Sequence, residues 1–332
     1  MRSLLCAIVF LLSAVRAVPQ VPECYRTVDA IVWVVSDLGA AVQGWARLGF
    51  PGIENMGIVE ITEGVRFRGR GVQQAFGLAK GRIGETAVFW IQPTGGEGAY
   101  SEFAKKRGSG IFSLVHRAPS LEALEAEVRR MESLDIGVLQ RGELRTGSGE
   151  VRYVFLDTES EGKYVLGLLA GDIENSPLAV PPALPSTPRI AQYAFAVHEM
   201  EPVSRFWARL GFPEFSYTHP AISELRYRGR PGDFDMRLGW QRHGKIPYEW
   251  TQSLKGPNVY LDHMKEHGEG VHHIAFNVND MDAEVARWEK LGFSYSMGGA
   301  WGEKGKPGSG RFVYVNTQAI GGTDVELLWN FR

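Results

Sequence analysis

GEGVHHIAFNVNDMDAEVARWEKLGF, running from Gly268 to Phe293, carries the plan of the whole chain. Ile274, Phe276 and Val278 alternate with Ala275 and Asn277, the period of a strand with one buried face. Met281, Val285, Trp288 and Leu291 then recur at helical spacing. Gly292 stops that helix, because glycine tolerates left-handed backbone. Two adjacent histidines open the strand. Alternation places His272 with the apolar residues and His273 with Ala275 and Asn277. A helix packs on the apolar side, so His273 is the inward-facing candidate donor and His272 a supporting or core residue.

The same plan recurs. AQYAFAVHEMEPVSRFWARLGF, from Ala191 to Phe212, again gives a strand, a helix and a Leu-Gly-Phe stop. DAIVWVVSDLGAAVQGWARLGF, from Asp29 to Phe50, gives it a third time, and the stretch from Ile111 to Ile136 supplies a fourth. Longer-range copies lie about 160 residues apart: WARLGFP at Trp45 and Trp207, RFRGR at Arg66 against RYRGR at Arg226, RYVFLDT at Arg152 against RFVYVNT at Arg311. Short strands such as SELRYRGR, DFDMRLGW, RFVYVN and DVELLWN follow the helices. The expected fold class is α+β, four βαβββ units arranged as two domains.

Between the copies, SPLAVPPALPSTPR (Ser176 to Arg189) holds five prolines in fourteen residues, which forbids a helix or a central strand. The expected domains are 26–172 and 190–332, joined by a linker over 173–189. The N-terminal MRSLLCAIVFLLSAVRA reads as a signal peptide over residues 1–17, with cleavage after Ala17. Its apolar run is too short to span a bilayer, so secretion or export is expected, without stable membrane insertion. Cys24 is then the one cysteine left, a free thiol or an intermolecular bridge, and the fold must rest on packing. At a formal charge of −2 and 44% hydrophobic residues the chain has material for sizeable cores and no basic face for nucleic acid. A homo-oligomer stays open.

VHHIAFNVNDM, the helix ending KLGF and the strand ending VELLWN together resemble the vicinal oxygen chelate superfamily. That group takes in glyoxalase I, methylmalonyl-CoA epimerase, extradiol dioxygenases and bleomycin-resistance proteins. The resemblance covers nearly all the chain after the leader and is sharper after Arg189. It implies that two βαβββ units close into a cup around a metal. Laying AQYAFAVHE over VHHIAFNVND sets Gln192 against His273, while IPYEWTQ and DVELLWN put Glu249 and Glu326 at equivalent places. The implied metal ligands are Gln192, Glu249, His273 and Glu326, the ligand order of zinc-type glyoxalase I, although the VHHIAF motif is closer to methylmalonyl-CoA epimerase. Mixed oxygen and nitrogen donors suit one divalent ion: Zn, Ni, Co, Mn or Fe.

By the same resemblance Glu326 is the expected base, with Glu249 in reserve. The implied chemistry is that of a lyase, isomerase or epimerase, moving a proton on a small oxygenated substrate through a metal-stabilised enolate. A non-catalytic binding or resistance protein is the first alternative. An extradiol-type dioxygenase is the second, disfavoured because oxygen-activating iron commonly uses two histidines and a carboxylate. The first half lacks the set, with Ala30, Phe89 and Ser113 in place of Gln192, Glu249 and His273, and no carboxylate in YVLGLL. Arg226 and Arg228, read as alternating along one strand, are candidate contacts for an anionic substrate. Trp240, Trp250 and Trp329 are candidate pocket walls. The glycine-rich stretch from Met297 to Arg311 is a candidate cover.

Overall fold

The computed structural model describes residues 21–331 apart from residues 146 and 148. The leader expected over residues 1–17 lies outside them. The chain forms two ten-stranded sheets, one from strands between Ala30 and Gly171, the other from strands between Ile190 and Asn330. With their helices these make two half-barrels of the expected α+β class. Among the described residues no helix is long and apolar enough to cross a membrane.

Four central strands of each sheet position everything that follows. In the first half they are β1 (Ala30–Val34), β2 (Thr86–Gly96), β3 (Gly110–Arg117) and β4 (Val165–Gly171), in the order β2-β1-β3-β4. In the second they are β5 (Ile190–Val197), β6 (Tyr248–Lys255), β7 (Gly270–Asn277) and β8 (Asp324–Asn330), in the order β6-β5-β7-β8. The registers coincide. Val32 pairs with Phe89 and Ser113 as Ala194 pairs with Glu249 and His273. Ser113 in turn faces Val165 as His273 faces Asp324. Ala30, Phe89, Ser113 and Gly167 therefore occupy the places of Gln192, Glu249, His273 and Glu326.

Both sheets also share an irregularity. Beyond Val32 the partner jumps from Ser113 to Ile111, and beyond Ala194 from His273 to Val271. Phe112 and His272 are thus the extra residues of matching β-bulges, which break the two-residue alternation. This corrects the reading of His272. Its ring leaves the face of Ile274 and Phe276 and meets Tyr260 of the helix Val259–His267 at 5.1 Å and Tyr314 at 5.7 Å, both residues of the cup.

The helices start and stop as their sequences dictate. Asp280 accepts a hydrogen bond from the Ala283 N–H to open Met281–Lys290, and Gly292 closes it at φ 92°. Their apolar faces, with Trp45, Trp207 and Trp288, join Trp33, Phe195, Ile274 and Phe276 in a core that runs through both halves. Phe50 meets Phe276 at 5.4 Å, and the Trp33 Nε1 donates to the Gly321 carbonyl at 2.7 Å. Removing one such indole would cost about 3–5 kcal/mol. The cups lie on the opposite faces of the sheets.

RYRGR is not one strand. Ile222–Tyr227 ends at a two-residue turn in which Arg228 has φ 47° and Gly229 φ 74°, and Tyr227 pairs across it with Arg230. RFRGR repeats the turn with Arg68 at 47° and Gly69 at 78°. Paired positive φ values define the hairpin turn that suits twisted strands, so the motif recurs for backbone reasons. Its arginines do not stack into an anion site.

Candidate active site

The second cup gathers four side chains from four strands. Gln192 enters from β5, Glu249 from β6, His273 from β7 and Glu326 from β8, all buried. The Gln192 Nε2 donates to Glu249 Oε2 at 2.6 Å and to Glu326 Oε2 at 2.9 Å. The His273 Nε2 lies 3.2 Å from that same Glu326 oxygen, and its Nδ1 lies 2.7 Å from the Nδ1 of His272. The Thr251 hydroxyl donates to the other Glu249 oxygen at 3.2 Å. Neighbouring strands set these groups side by side because each falls on the cup face of its strand.

Burial dominates the electrostatics. It raises Glu249 and Glu326 well above the usual carboxylate range, and at Glu249 the charge of Glu326 adds to the rise. At Glu326 the Tyr314 hydroxyl works against the rise. Burial also lowers His273 to about 3, which keeps the imidazole neutral. The His273–Glu326 contact is accordingly a hydrogen bond and not an ion pair, despite its 3.2 Å separation.

The donor chemistry fits a divalent ion. Among the described residues no lysine or arginine lines the cavity, and His273, held neutral, is not part of that lining, so no cation offsets the two carboxylates when they ionise. In the present arrangement the Gln192 amide nitrogen bridges those carboxylates, and among the described residues no three His, Cys, Asp or Glu groups surround a common point. Turning the Gln192 amide over presents its carbonyl oxygen instead, a rotation that exchanges a donor for a ligand. Gln192, Glu249, His273 and Glu326 then supply three oxygens and one nitrogen, as borderline or hard cations prefer.

Above them lies a cavity of about 500 Å³. Ile222, Met236, Leu238, Trp240, Phe312 and Leu328 make its walls apolar, while Tyr260, Tyr314, Asn277 and Asn330 add neutral polar groups. The Tyr260 and Tyr314 hydroxyls share a 2.8 Å hydrogen bond.

Of the expected substrate contacts, the structure brings only Trp240 to this cavity. Trp250 is fully buried on the other face, stacked on Phe195 at 4.0 Å, because odd and even residues of β6 face opposite ways. Trp329 packs against the shared core and donates to the Asn279 carbonyl. Arg226 is exposed and outside the cavity lining, and Arg228 spends its guanidinium on Asp262 at 2.8 Å. Lys304 and Lys306 of the glycine-rich stretch are exposed and outside the lining too, although Trp301 reaches it. Cys24 is half-buried, with burial pushing its thiol up to about 11.

Sequence reasoning missed Tyr260, Tyr314 and Thr251. One signal for Tyr314 was present in the repeat: RYVFLDT has Phe155 where RFVYVNT has Tyr314.

Comparison with known proteins bears on the fold. The sequence profile of the glyoxalase/bleomycin resistance protein/dioxygenase superfamily matches residues 191–314. No curated protein sequence matches the chain. A solved structure of a triple mutant of 4-hydroxymandelate synthase from Streptomyces coelicolor is similar over 92% of both chains, at 14% identity and TM-score 0.56. An Mn(II)-bound glyoxalase from Novosphingobium aromaticivorans aligns over 92% of this chain and 83% of its own, at 16% identity and TM-score 0.47. At such identities the first likeness is one of fold. Residues 191–314 thus match the glyoxalase/bleomycin resistance protein/dioxygenase superfamily, consistent with the vicinal oxygen chelate group, and the first half repeats the architecture of the second.

Proposed function

We propose that the second cup is the active site of a metal-dependent lyase, isomerase or epimerase acting on a small, uncharged, oxygenated molecule. The observation that carries this reading is the pair Glu249 and Glu326, buried in one apolar cup and held by a single amide beside a neutral imidazole. Gln192, Glu249, His273 and Glu326 would hold one divalent ion, with zinc, nickel, cobalt, manganese and iron all compatible with the donors. When bound, that ion supplies Lewis-acid polarisation of a substrate oxygen.

The protein groups account for the proton. The Glu326 carboxylate takes it from the carbon next to the oxygenated one and returns it to the neighbouring carbon. A carboxyl raised towards neutrality by burial is matched to that exchange. Glu249, with acceptors engaged by both Thr251 and Gln192, is the more tightly held partner. The Tyr260–Tyr314 hydroxyl pair orients polar atoms of the substrate.

The absence of cations from the lining argues against glutathione conjugates and coenzyme A thioesters, whose carboxylates and phosphates need them. His272 points its Nδ1 at His273 and not at either glutamate, which weighs against a two-histidine, one-carboxylate dioxygenase. With the leader proposed at the N-terminus, the substrate would be met outside the cytoplasm.

Two measurements test the proposal. Zinc(II) or manganese(II) titrated into chelator-treated full chain should bind once per chain, and Glu326→Gln should weaken that binding at least about tenfold. Small hydroxyketones incubated with the loaded protein in deuterated water should gain deuterium at the carbon next to the carbonyl. No uptake of either ion would refute the metal reading, and oxygen consumption with catechols would transfer the site to dioxygenase chemistry.

A further inference from the structure

The first half keeps a cavity where the second keeps its active site. It measures about 480 Å³ and lies at the mouth of the first cup, closed over by the segment from Ile173 to Val180 and by the loop from His243 to Ile246 of the second half. Five lining positions are register counterparts of the catalytic cavity. Asp29, Ala30, Phe89, Arg117 and Leu169 stand where Ala191, Gln192, Glu249, Asn277 and Leu328 stand in the other.

The chemistry has been inverted between the two. The donor positions are apolar, Ala30 and Phe89, and Ala87, Leu169, Leu178 and Ile190 extend that floor. A cation, Arg117, replaces the neutral Asn277. Arg26, Arg82, Arg189 and Lys245 bring the cationic side chains to five, against the three carboxylates of Asp29, Glu85 and Glu174. Among the described residues Arg82 and Lys245 form no ion pair. Arg82 instead donates to the carbonyls of Pro181 and Glu85, both at 2.6 Å. Asp29 accepts the Arg117 backbone N–H at 2.8 Å and also lies in the field of Arg117 and Lys245. The His243 Nδ1 is buried in the wall without a hydrogen-bond partner among the described residues.

We propose that this first cup is a second, non-catalytic binding site, and that its ligand is a small organic carboxylate with an apolar body. The body would lie on Ala87, Phe89 and Leu169, and the carboxylate would face Lys245 and Arg82. The size falls within the range of small-molecule sites, and a net positive rim over an apolar floor selects an amphiphilic anion over a neutral or hydrophilic one.

Calorimetric titration of the full chain with naphthalene-2-carboxylate tests this, with 2-naphthalenemethanol as the uncharged counterpart. One carboxylate should bind per chain, at least about tenfold more tightly than the alcohol, and added salt should erode that difference. Lys245→Gln, an exposed position that leaves the core intact, should weaken the carboxylate about tenfold. Ala87→Phe should fill the floor and abolish binding, with melting temperature checking the fold. Glu326→Gln should leave the affinity unchanged. No binding of the carboxylate, equal binding of the alcohol, indifference to both Lys245→Gln and Ala87→Phe, or loss of binding in Glu326→Gln would each overturn the proposal. The last result would place the ligand in the other cup.

Discussion

The two cups are copies whose interiors have gone opposite ways. In the first, Phe103, Phe112 and Phe155 interlock edge to face, with Phe112 at 5.5 Å from Phe103 and 5.0 Å from Phe155. In the second, His263, His272 and Tyr314 hold the corresponding places and nearly the same spacings, 5.0 and 5.7 Å. One scaffold thus accepts either three hydrocarbon rings or three rings with polar atoms. Edge-to-face packing needs a flat ring with an electron-rich face and a positive edge, which phenyl, phenol and imidazole all supply, so the fold survives the exchange. What changes is whether buried donors beside the rings have polar support. Gln192, Glu249, His273 and Glu326 have it; Ala30, Phe89, Ser113 and Gly167 do not need it.

The sharpest way to break this contrast is Glu326→Gln. If the second cup alone is catalytic, turnover should fall by about 10²–10⁴-fold, the usual worth of a positioned acid or base, while the fold is kept. Unchanged turnover in a steady-state assay would remove Glu326 from the base role.

Acidity should distinguish the cups next. In the folded chain Glu249 and Glu326 are raised above their ordinary value of 4.5, so the native state binds protons that the unfolded state has released. Stability of the metal-free protein is then greatest below pH 4.5, as far as this pair is concerned, and is lost as pH rises from there through neutrality. The slope is about 1.4 kcal/mol per pH unit for each proton retained. Chemical denaturation across that window should show it. Glu249→Gln or Glu326→Gln should flatten the slope, and a divalent ion should restore stability at the alkaline end.

The first cup cannot be converted by donors alone. A Cβ at Gly167 would lie 2.7 Å from the Ser113 Oγ and 2.8 Å from a Val115 methyl, so no glutamate fits where Glu326 stands in the other copy. Gly167→Ala should destabilise by about 1–3 kcal/mol, measurable as a lowered melting temperature. Pairing it with Ser113→Gly should recover part of the loss, because it removes the nearer of the two contacts.

The smallest expected effect is at the hairpin turn. Arg228→Asn keeps a residue that tolerates the left-handed conformation and removes an exposed ion pair with Asp262 and a cation–π contact with Tyr227. It should cost about 0–1 kcal/mol and leave kcat/KM unaltered. A large loss of kcat/KM would return Arg228 to the substrate site.

Much of this was legible in the chain itself. The strand-helix-glycine plan is local: alternation in VHHIAFNV, helical spacing from Met281 to Leu291 and the left-handed Gly292 each depend on neighbours a few residues away. The internal repeat carried the correspondence of Gln192, Glu249, His273 and Glu326, because copies of one fold keep one register. The arginines of RYRGR were misread since a two-residue turn and a continuous strand look alike until both flanking segments are paired. Trp250 was misplaced because one β6 face serves the core and the other the cup, and one aromatic residue does not reveal which.

From its residues alone, then, the chain determined the period, the punctuation and the duplication, all set by backbone sterics and apolar spacing over short range. Tertiary structure alone decided the facing of the VHH pair. The register jump from Ala194–His273 to Phe195–Val271 makes His272 a bulge residue and turns both imidazoles towards the cup. A bulge is a property of two paired strands, about 80 residues apart in this case, and neither strand encodes it by its own alternation.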